Sequence, residues 1–556
     1  MKKLLLLIIV SLIAGACRYK PFVKYYFQNK KEGFPRFSKH DYLQGEINRL
    51  RAYDITTYDW YVKVDPDEER IEGTMRIDFQ MEMRQDSILI DLHRRLKVDN
   101  IESSISIKKW KHTKDLIYIV FADQAAEGTN GSIKITYGGK PANIANEGPI
   151  QWKEDSRGNP WVGTQTEGVG AHYMMPCKEL LYDEPEQCFI RVEVSSPLVA
   201  VANGKLDSVT TKGENQVYHH SVLNPINIYN ISFNIGDFKK ITFPYTDING
   251  DDREIQVFAL RHQIDAARSF YAQTSLHLQE LEKLYGSFPW WRDGCKIIQS
   301  TLGGSAMEHQ SAISMGSYFF NDYAPPAYSL KVNTTLIHEL AHEWWGNLLS
   351  GMDYCDMWLH EGLATYSEAL VIEKLYQTNY YDHYMWLLSL NVDNERPVLK
   401  PCGVRYNSWV SSKDADIYYK GALLLHTLRM QINDDEAFFS ILKGTLNRFA
   451  KQNITTETFI EYFNETSKKD FDPLFEVYLK QKSPPVLLYA YDPTHSTLRY
   501  KWKTGLPDNF PLKVVATLSD KKVILTPTNS IQQIEIESFP SFNIGDFGYV
   551  LTEDLE

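Results

Sequence analysis

Clusters of basic residues are missing from this chain of 556 residues, in which 59 Lys and Arg face 71 Asp and Glu for a net charge of −12. Affinity for phosphate backbones comes from grouped cations, so a nucleic-acid partner is excluded. Cysteine is scarce, six in all, and no CxxC pair occurs, which removes the usual cysteine metal or redox motifs. Apart from Cys17 the cysteines are Cys177, Cys188, Cys295, Cys355 and Cys402. Five is odd, so at least one stays unpaired within the molecule, and the spacings form no dense disulfide framework. There is no internal repeat and no low-complexity tract. What is present, 43% hydrophobic and 13% aromatic residues, suits a globular protein with several cores, and the length suggests three or four domains.

The start, "MKKLLLLIIVSLIAGAC", places Lys2 and Lys3 ahead of an apolar run from Leu4 to Ala14, then Gly15, Ala16 and Cys17. The run is too short to span a bilayer comfortably and ends in small residues, so residues 1–17 read as an export signal that is removed. Two cleavages compete. Ala14 and Ala16 form an A-x-A site; alternatively the segment resembles a bacterial lipoprotein signal, with Cys17 lipidated as the new N-terminus, although Ala14 stands where Leu is usual. Several acyl chains on Cys17 would anchor the protein to a membrane lastingly, on the periplasmic or outer side of the cell envelope.

A polar, basic linker covers residues 18–45, after which the pattern has period two. In "YDWYVKV" Tyr58, Trp60, Val62 and Val64 share a face, and in "EGTMRIDFQM" Gly73, Met75, Ile77 and Phe79 do the same. Residues 46–239 are therefore expected to form an antiparallel β domain. From about 262 the period becomes helical, and residues 240–483 read as a mixed, then largely helical domain. Strand-like runs return after the prolines of "KSPPVLL", so 484–556 read as a small β-sandwich. The fold class is multidomain α+β.

The chemistry concentrates in "HELAHEWW", residues 338–345. His338 and His342, four apart on a helix, share a face and converge on one ion. Taken alone the motif is equally a buried helix with polar residues, because catalytic zinc needs three protein ligands and one open position. A third donor is available. The first helix is expected to end around Gly351, and a second begins near Trp358 carrying Glu361, eighteen residues beyond His342. Thr365 and Glu368, four and seven residues further, share the face of Glu361 and are candidates to hydrogen-bond the ligands. For Glu368 a solvated helix charge is the plainer alternative.

"HELAHEWWGNLL", the eighteen-residue gap and "WLHEGLATY" resemble the zinc aminopeptidase family that includes aminopeptidase N and leukotriene hydrolase. Three further marks agree. "GGSAMEHQ", about thirty residues upstream, matches a GAMEN-type motif at Ala306, Met307 and Glu308, with Ser305 for the usual Gly and His309 for the usual Asn. "IYYKGALLL" matches Y-x-K-G at Tyr418, Lys420 and Gly421, and "MMPCKELLYDEPEQCF" resembles a PC-x-DEP stretch with extra residues inside it. The resemblance implies a thermolysin-like catalytic domain at 240–483, one zinc ion, and peptides with a free N-terminus as substrates.

Zinc on His338, His342 and Glu361 would lower the pKa of its water, with Glu339 as the general base. The resemblance gives Tyr418 the task of donating a hydrogen bond to the oxyanion. It gives Glu308 the free α-ammonium, helped by Glu167 or Gln165 from "TQTEG", with Glu167 favoured. Ser305 and His309 bear on substrate preference more than on catalysis, since the usual Gly lets a substrate backbone come close. Competing functions are a thermolysin-type endopeptidase and a non-catalytic, lipid-anchored peptide-binding protein. Epoxide chemistry of the leukotriene hydrolase kind is disfavoured by the short β segment at the end of the chain.

Overall fold

The structure, a computed structural model, describes residues 50–142, 149–317, 332–376, 378–402, 415–507, 510–519 and 521–555. The expected signal segment, Cys17 and the linker lie outside these residues.

Seven strands form the main sheet of the N-terminal part, in the order Lys205–Lys212, Asn215–Val222, Gln187–Ser195, Tyr53–Asp65, Arg70–Met81, Asn130–Gly139 and Lys97–Ser103. The alternation seen in the sequence is the alternation of burial: Tyr58, Trp60, Val62 and Val64 point into the core, as do Met75, Ile77 and Phe79 of the neighbouring strand. The sheet is not purely antiparallel as expected, because Thr57–Lys63 pairs in parallel with Gln187–Glu193. Those partners are about 130 residues apart in sequence, and a parallel pair needs a long connection that leaves no local signature.

A smaller four-stranded sheet, Val199–Ala202, Phe233–Gly236, Pro160–Thr164 and Ile150–Glu154, brings the N-terminal part to the catalytic one. Strand Pro160–Thr164 runs directly into Gln165–Glu167, and the turn Ile228–Asn230 precedes Phe233–Gly236. The expected boundary at 239 falls inside a strand of the next sheet, Phe238–Thr246, so the change of sheet occurs between Gly236 and Phe238.

That next sheet is mixed, in the order Phe238–Thr246, Asp252–Leu260, Cys295–Ser300, Ala312–Gly316 and Ala306–Met307, with Ala306–Met307 at its edge. Helix α1 (Ile264–Tyr285) packs with it, followed by α2 (Thr334–Ala341), α3 (Trp358–Tyr376), α4 (Thr378–Ser389), α5 (Tyr419–Ile432), α6 (Asp435–Arg448) and α7 (Thr456–Ser467). Helix α3 is buried along nearly its whole length, from Trp358 to Ile372, which explains why it shows little amphipathic period.

Beyond residue 484 the chain forms a four-stranded and a three-stranded sheet with a short helix, Ile544–Phe547. Leu487, Leu498, Trp502, Leu512, Val514 and Phe547 join the hydrophobic cluster of the helices, because a segment this short gains enough burial only against a neighbour. Polar ties complete the junction: His426 of α5 bonds the Ile544 carbonyl at 2.9 Å, and Tyr549 N donates to Thr427 Oγ1 at 3.0 Å.

Candidate active centre

Helix α2 begins at Asn333, whose side chain accepts from Leu336 N at 3.0 Å, an N-cap that fixes its first turn. His338 lies within the helix and His342 is its C-terminal cap. The helix stops at Ala341, well before the expected Gly351. Gly346 has φ 126°, a conformation open to glycine, and the chain folds back there so that the Trp345 carbonyl meets His342 Nδ1 at 2.8 Å. A Cβ on Gly346 would lie 3.3 Å from His342 Nδ1, so the tight turn and the ring position belong together. Trp344 and Trp345 are core residues that clamp this helix against Tyr285 and Phe288.

The two imidazoles stand nearly perpendicular, 84°, with centroids 4.5 Å apart. His338 Nδ1 bonds Glu368 Oε1 at 2.9 Å while His342 Nδ1 bonds the Trp345 carbonyl, so both rings carry their proton on Nδ1 and offer the Nε2 lone pair inward. Glu361, three residues into α3, places Oε2 3.2 Å from His338 Nε2 and 3.4 Å from His342 Nε2. A tetrahedral zinc with bonds of about 2.0–2.1 Å separates its ligand atoms by roughly 3.3 Å, so these three donors fit that ion. The electrostatics agree. Burial pushes the Glu361 carboxyl up, but the bonds and charges of both histidines outweigh it and hold the carboxyl well below the usual range. Burial likewise depresses the imidazoles, yet Glu361 and Glu368 raise His338, and Glu308 and Glu361 raise His342 to about 9. The site attracts positive charge.

Glu339, beside His338 in α2, is buried with Oε2 lacking any hydrogen-bond partner among the described residues. Burial pushes its carboxyl up to about 8; Glu308 and Glu361 add to this, and the two imidazoles oppose it. Tyr418, at the N-cap of α5, stacks on the His338 ring with centroids 5.9 Å apart, and burial together with the charges of Glu361, Glu167 and Glu308 raises its phenol well above the ordinary range.

Near this cluster lie the acids of the chain's other motifs. Glu308 follows the edge strand Ala306–Met307 and is buried, with Oε1 accepting from Tyr229 Oη at 3.0 Å. Glu167 comes from the N-terminal part, where burial and the charges of Glu308, Glu361 and Glu339 raise its carboxyl well above the ordinary range. Glu167 Oε1 and Gln165 Oε1 have no partner among the described residues, and Gln165 Nε2 rests 3.8 Å from Met307 Sδ. Buried acceptors left without donors mark where a cationic ligand belongs.

Not every expected residue serves as anticipated. The Thr365 hydroxyl bonds no ligand and has no partner among the described residues, whereas Glu368 orients His338. Four residues past Glu361, the short threonine side chain does not span the distance that a glutamate one turn further covers. His309 is fully buried and bonds Ser314 Oγ at 3.0 Å, with burial pushing its imidazole down to about 3, so it braces the edge strand as a neutral ring. Ser305 is exposed and holds Gly316 N through its carbonyl.

Sequence reasoning missed Tyr384 of α4, which donates to Glu368 Oε2 behind His338, and Asn347, which donates to the Glu308 carbonyl at 2.9 Å and to Glu343 Oε2 at 3.1 Å. It also missed Glu184, in the "DEP" stretch, which accepts from Ser350 Oγ at 2.7 Å and Asn453 at 3.1 Å and so joins the N-terminal part to the segment after α2. No local pattern marks Tyr384. Asn347 follows a Gly directly after the histidine motif, and that is the only signal it leaves.

Residues 277–478 match the Peptidase family M1 domain and residues 55–225 the Peptidase M1 N-terminal domain, together well over half the chain. Among relatives, Aminopeptidase B of Mus musculus is 24% identical over 437 residues, 73% of this chain and 63% of that protein. Leucine aminopeptidase 2 of Eremothecium gossypii is 24% identical over 410 residues, 69% of this chain and 63% of that protein. The chain thus spans somewhat under two thirds of these curated relatives. An M1 zinc metallopeptidase variant from Deinococcus radiodurans shares the fold, with TM-score 0.66 and 19% identity over 79% of this chain and 99% of that one. So does a two-domain M1 zinc metallopeptidase variant bound to L-arginine, with TM-score 0.64 and 19% identity over 80% and 96%.

Proposed function

Given that this chain belongs to peptidase family M1, we propose that it is a zinc-dependent aminopeptidase that removes residues from the free amino end of peptides. The observation that carries this is the meeting of two half-sites. The His338–His342–Glu361 donor set lies close enough to Glu308 and Glu167 to perturb both carboxyls, and the unpartnered acceptors of Glu167 and Gln165 suit an ammonium. The names of the aminopeptidase relatives support it.

His338, His342 and Glu361 would hold zinc, which would supply the Lewis acidity that polarises a scissile carbonyl and acidifies a water. Glu339 takes the proton of the attacking water and returns it to the leaving amine. Tyr418, stacked on the His338 ring, donates its phenolic hydrogen to the oxyanion as charge develops. The edge strand Ala306–Met307 offers unpaired backbone groups along which an extended peptide can add. Glu308 and Glu167, with Gln165, receive the α-ammonium, which an internal peptide bond lacks. That contact sets cleavage one residue from the chain start.

The test compares a peptide with a free amino end and its N-acetylated form. Only the first should be cleaved, and a chelator should abolish the reaction; equal cleavage of both would return the protein to the endopeptidase class. Glu339→Ala should lower kcat roughly 100- to 10,000-fold with the metal retained. Undiminished turnover would remove both Glu339 and catalysis at this site from the proposal.

The location we propose is the cell envelope, with export by the N-terminal signal and lipid anchorage at Cys17. The small-residue run ending in that cysteine supports it, and the Cys355–Cys402 disulfide suits an oxidising compartment. No described helix is long and apolar enough to cross a membrane. Metabolic labelling with palmitate should mark the wild type and not Cys17→Ser; an unlabelled wild type refutes the anchor.

A further inference from the structure

Tyr229 touches both acidic walls of the amine pocket, and no motif includes it. It is fully buried in the turn Ile228–Asn230 of the N-terminal part. Its phenol donates to Glu308 Oε1 at 3.0 Å, on the catalytic domain. Its carbonyl accepts from Thr166 Oγ1 at 2.9 Å, the residue between Gln165 and Glu167. Side chain and backbone of one residue therefore hold the two walls together.

The neighbouring residues tighten this arrangement. Asn230 Oδ1 accepts from Gln310 N at 2.9 Å, and its amide donates to Asn347 Oδ1 at 2.7 Å. Asn347 in turn donates to the Glu308 carbonyl. Asn227 caps the turn, accepting from Tyr229 N at 3.3 Å, and donates to Glu184 Oε1 at 3.2 Å. Glu308 is thus fixed at its carboxylate by Tyr229 and at its backbone through Asn230.

We infer that Tyr229 is a positioning residue for recognition of the free amino end, an inference that rests on the aminopeptidase reading. An ammonium presents three donors in fixed directions, and it discriminates only against acceptors that are themselves fixed. Glu308 lies beside Glu167, so the direction of its carboxylate decides whether both acceptors can meet one ammonium. A phenol donating to one oxygen sets the carboxylate plane and leaves lone pairs for the substrate. Tyr229 does not meet the reacting carbonyl; it acts through Glu308.

The experiment is Tyr229→Phe in the full-length protein, assayed on an aminoacyl p-nitroanilide and on its analogue lacking the α-amino group. One hydrogen bond to a charged group is lost, so KM for the amino substrate should rise about ten- to a hundredfold with kcat nearly unchanged. The preference for the amino substrate over the analogue should fall by the same factor, while bound zinc stays at one ion per chain. Thr166→Val cuts the tie from the other wall and should move the same ratio in the same direction, which keeps the test open if the phenylalanine variant does not fold. An unchanged KM and preference in folded, zinc-loaded variants overturns the inference, as does a loss confined to kcat. A wild type that does not distinguish the two substrates refutes the aminopeptidase reading instead.

Discussion

Gly362 and Gly421 meet across the contact of α3 and α5, so closely that a Cβ on Gly362 would stand 3.0 Å from Gly421 Cα and 3.1 Å from the Ile417 carbonyl. Gly362 directly follows Glu361, and Gly421 lies three residues after Tyr418. The missing side chains let the helices touch backbone to backbone, and that contact holds Tyr418 within electrostatic reach of Glu361. Gly362→Ala should separate them at a cost of roughly 1–3 kcal/mol of stability. The expected result is a lowered melting temperature and a reduced kcat with zinc still bound, and a variant with wild-type kcat would show that this contact does not set the tyrosine.

Glu368 should govern metal affinity rather than chemistry, because it orients His338 from behind and is itself held by Tyr384. Glu368→Gln is expected to weaken zinc binding about 10- to 100-fold, measured by competition with a chromogenic chelator. Saturating zinc should restore most of the activity; a kcat defect that persists at saturation would place Glu368 in the reaction itself.

The Cys355–Cys402 disulfide closes a 47-residue separation, starting six residues ahead of Glu361 and ending on the approach to α5. Cys177, Cys188 and Cys295 are buried and free. Replacing both bridged cysteines by serine should destabilise the protein by about 2–4 kcal/mol. Reductant should lower the melting temperature of the wild type and leave the double variant where it was.

Lys420 is buried under the C-terminal segment and donates to the carbonyls of Gln481 at 2.9 Å and Lys482 at 2.7 Å. Burial pushes its amine down to about 8, with Asp416 opposing. An unfolded lysine titrates near 10.4, so between about 8 and 10.4 the unfolded chain holds a proton that the folded one has released. Stability from this residue therefore rises with pH across that window and is lost as pH falls through about 8. Urea unfolding of wild type and Lys420→Met at pH values spanning it should show the difference moving in favour of the wild type as pH rises; a constant difference would contradict the depressed pKa.

The elements read correctly from the sequence are those whose cause is local. The buried faces of the strands around Trp60 and Met75 follow from period two, and His338 with His342 from the four-residue turn of a helix. The end of α2 departs from the sequence expectation because it depends on the fold-back at Gly346 and on a bond from His342 to a carbonyl three residues later, which outweigh the helical propensity of the Trp-Leu run. Thr365 departs from its expected role because sharing a helix face says nothing of reach.

By itself the sequence determined the donor types, their spacing and the family marks, since a histidine pair one turn apart and a carboxylate on a following helix are constraints along the chain. Tertiary structure alone decided the rest. Tyr229 reaches Glu308 across 79 residues, Glu184 binds Asn453 across 269, and Gly362 meets Gly421 between helices distant in sequence. Such contacts carry no period and no fixed spacing, because their geometry is set by how separately folded layers pack.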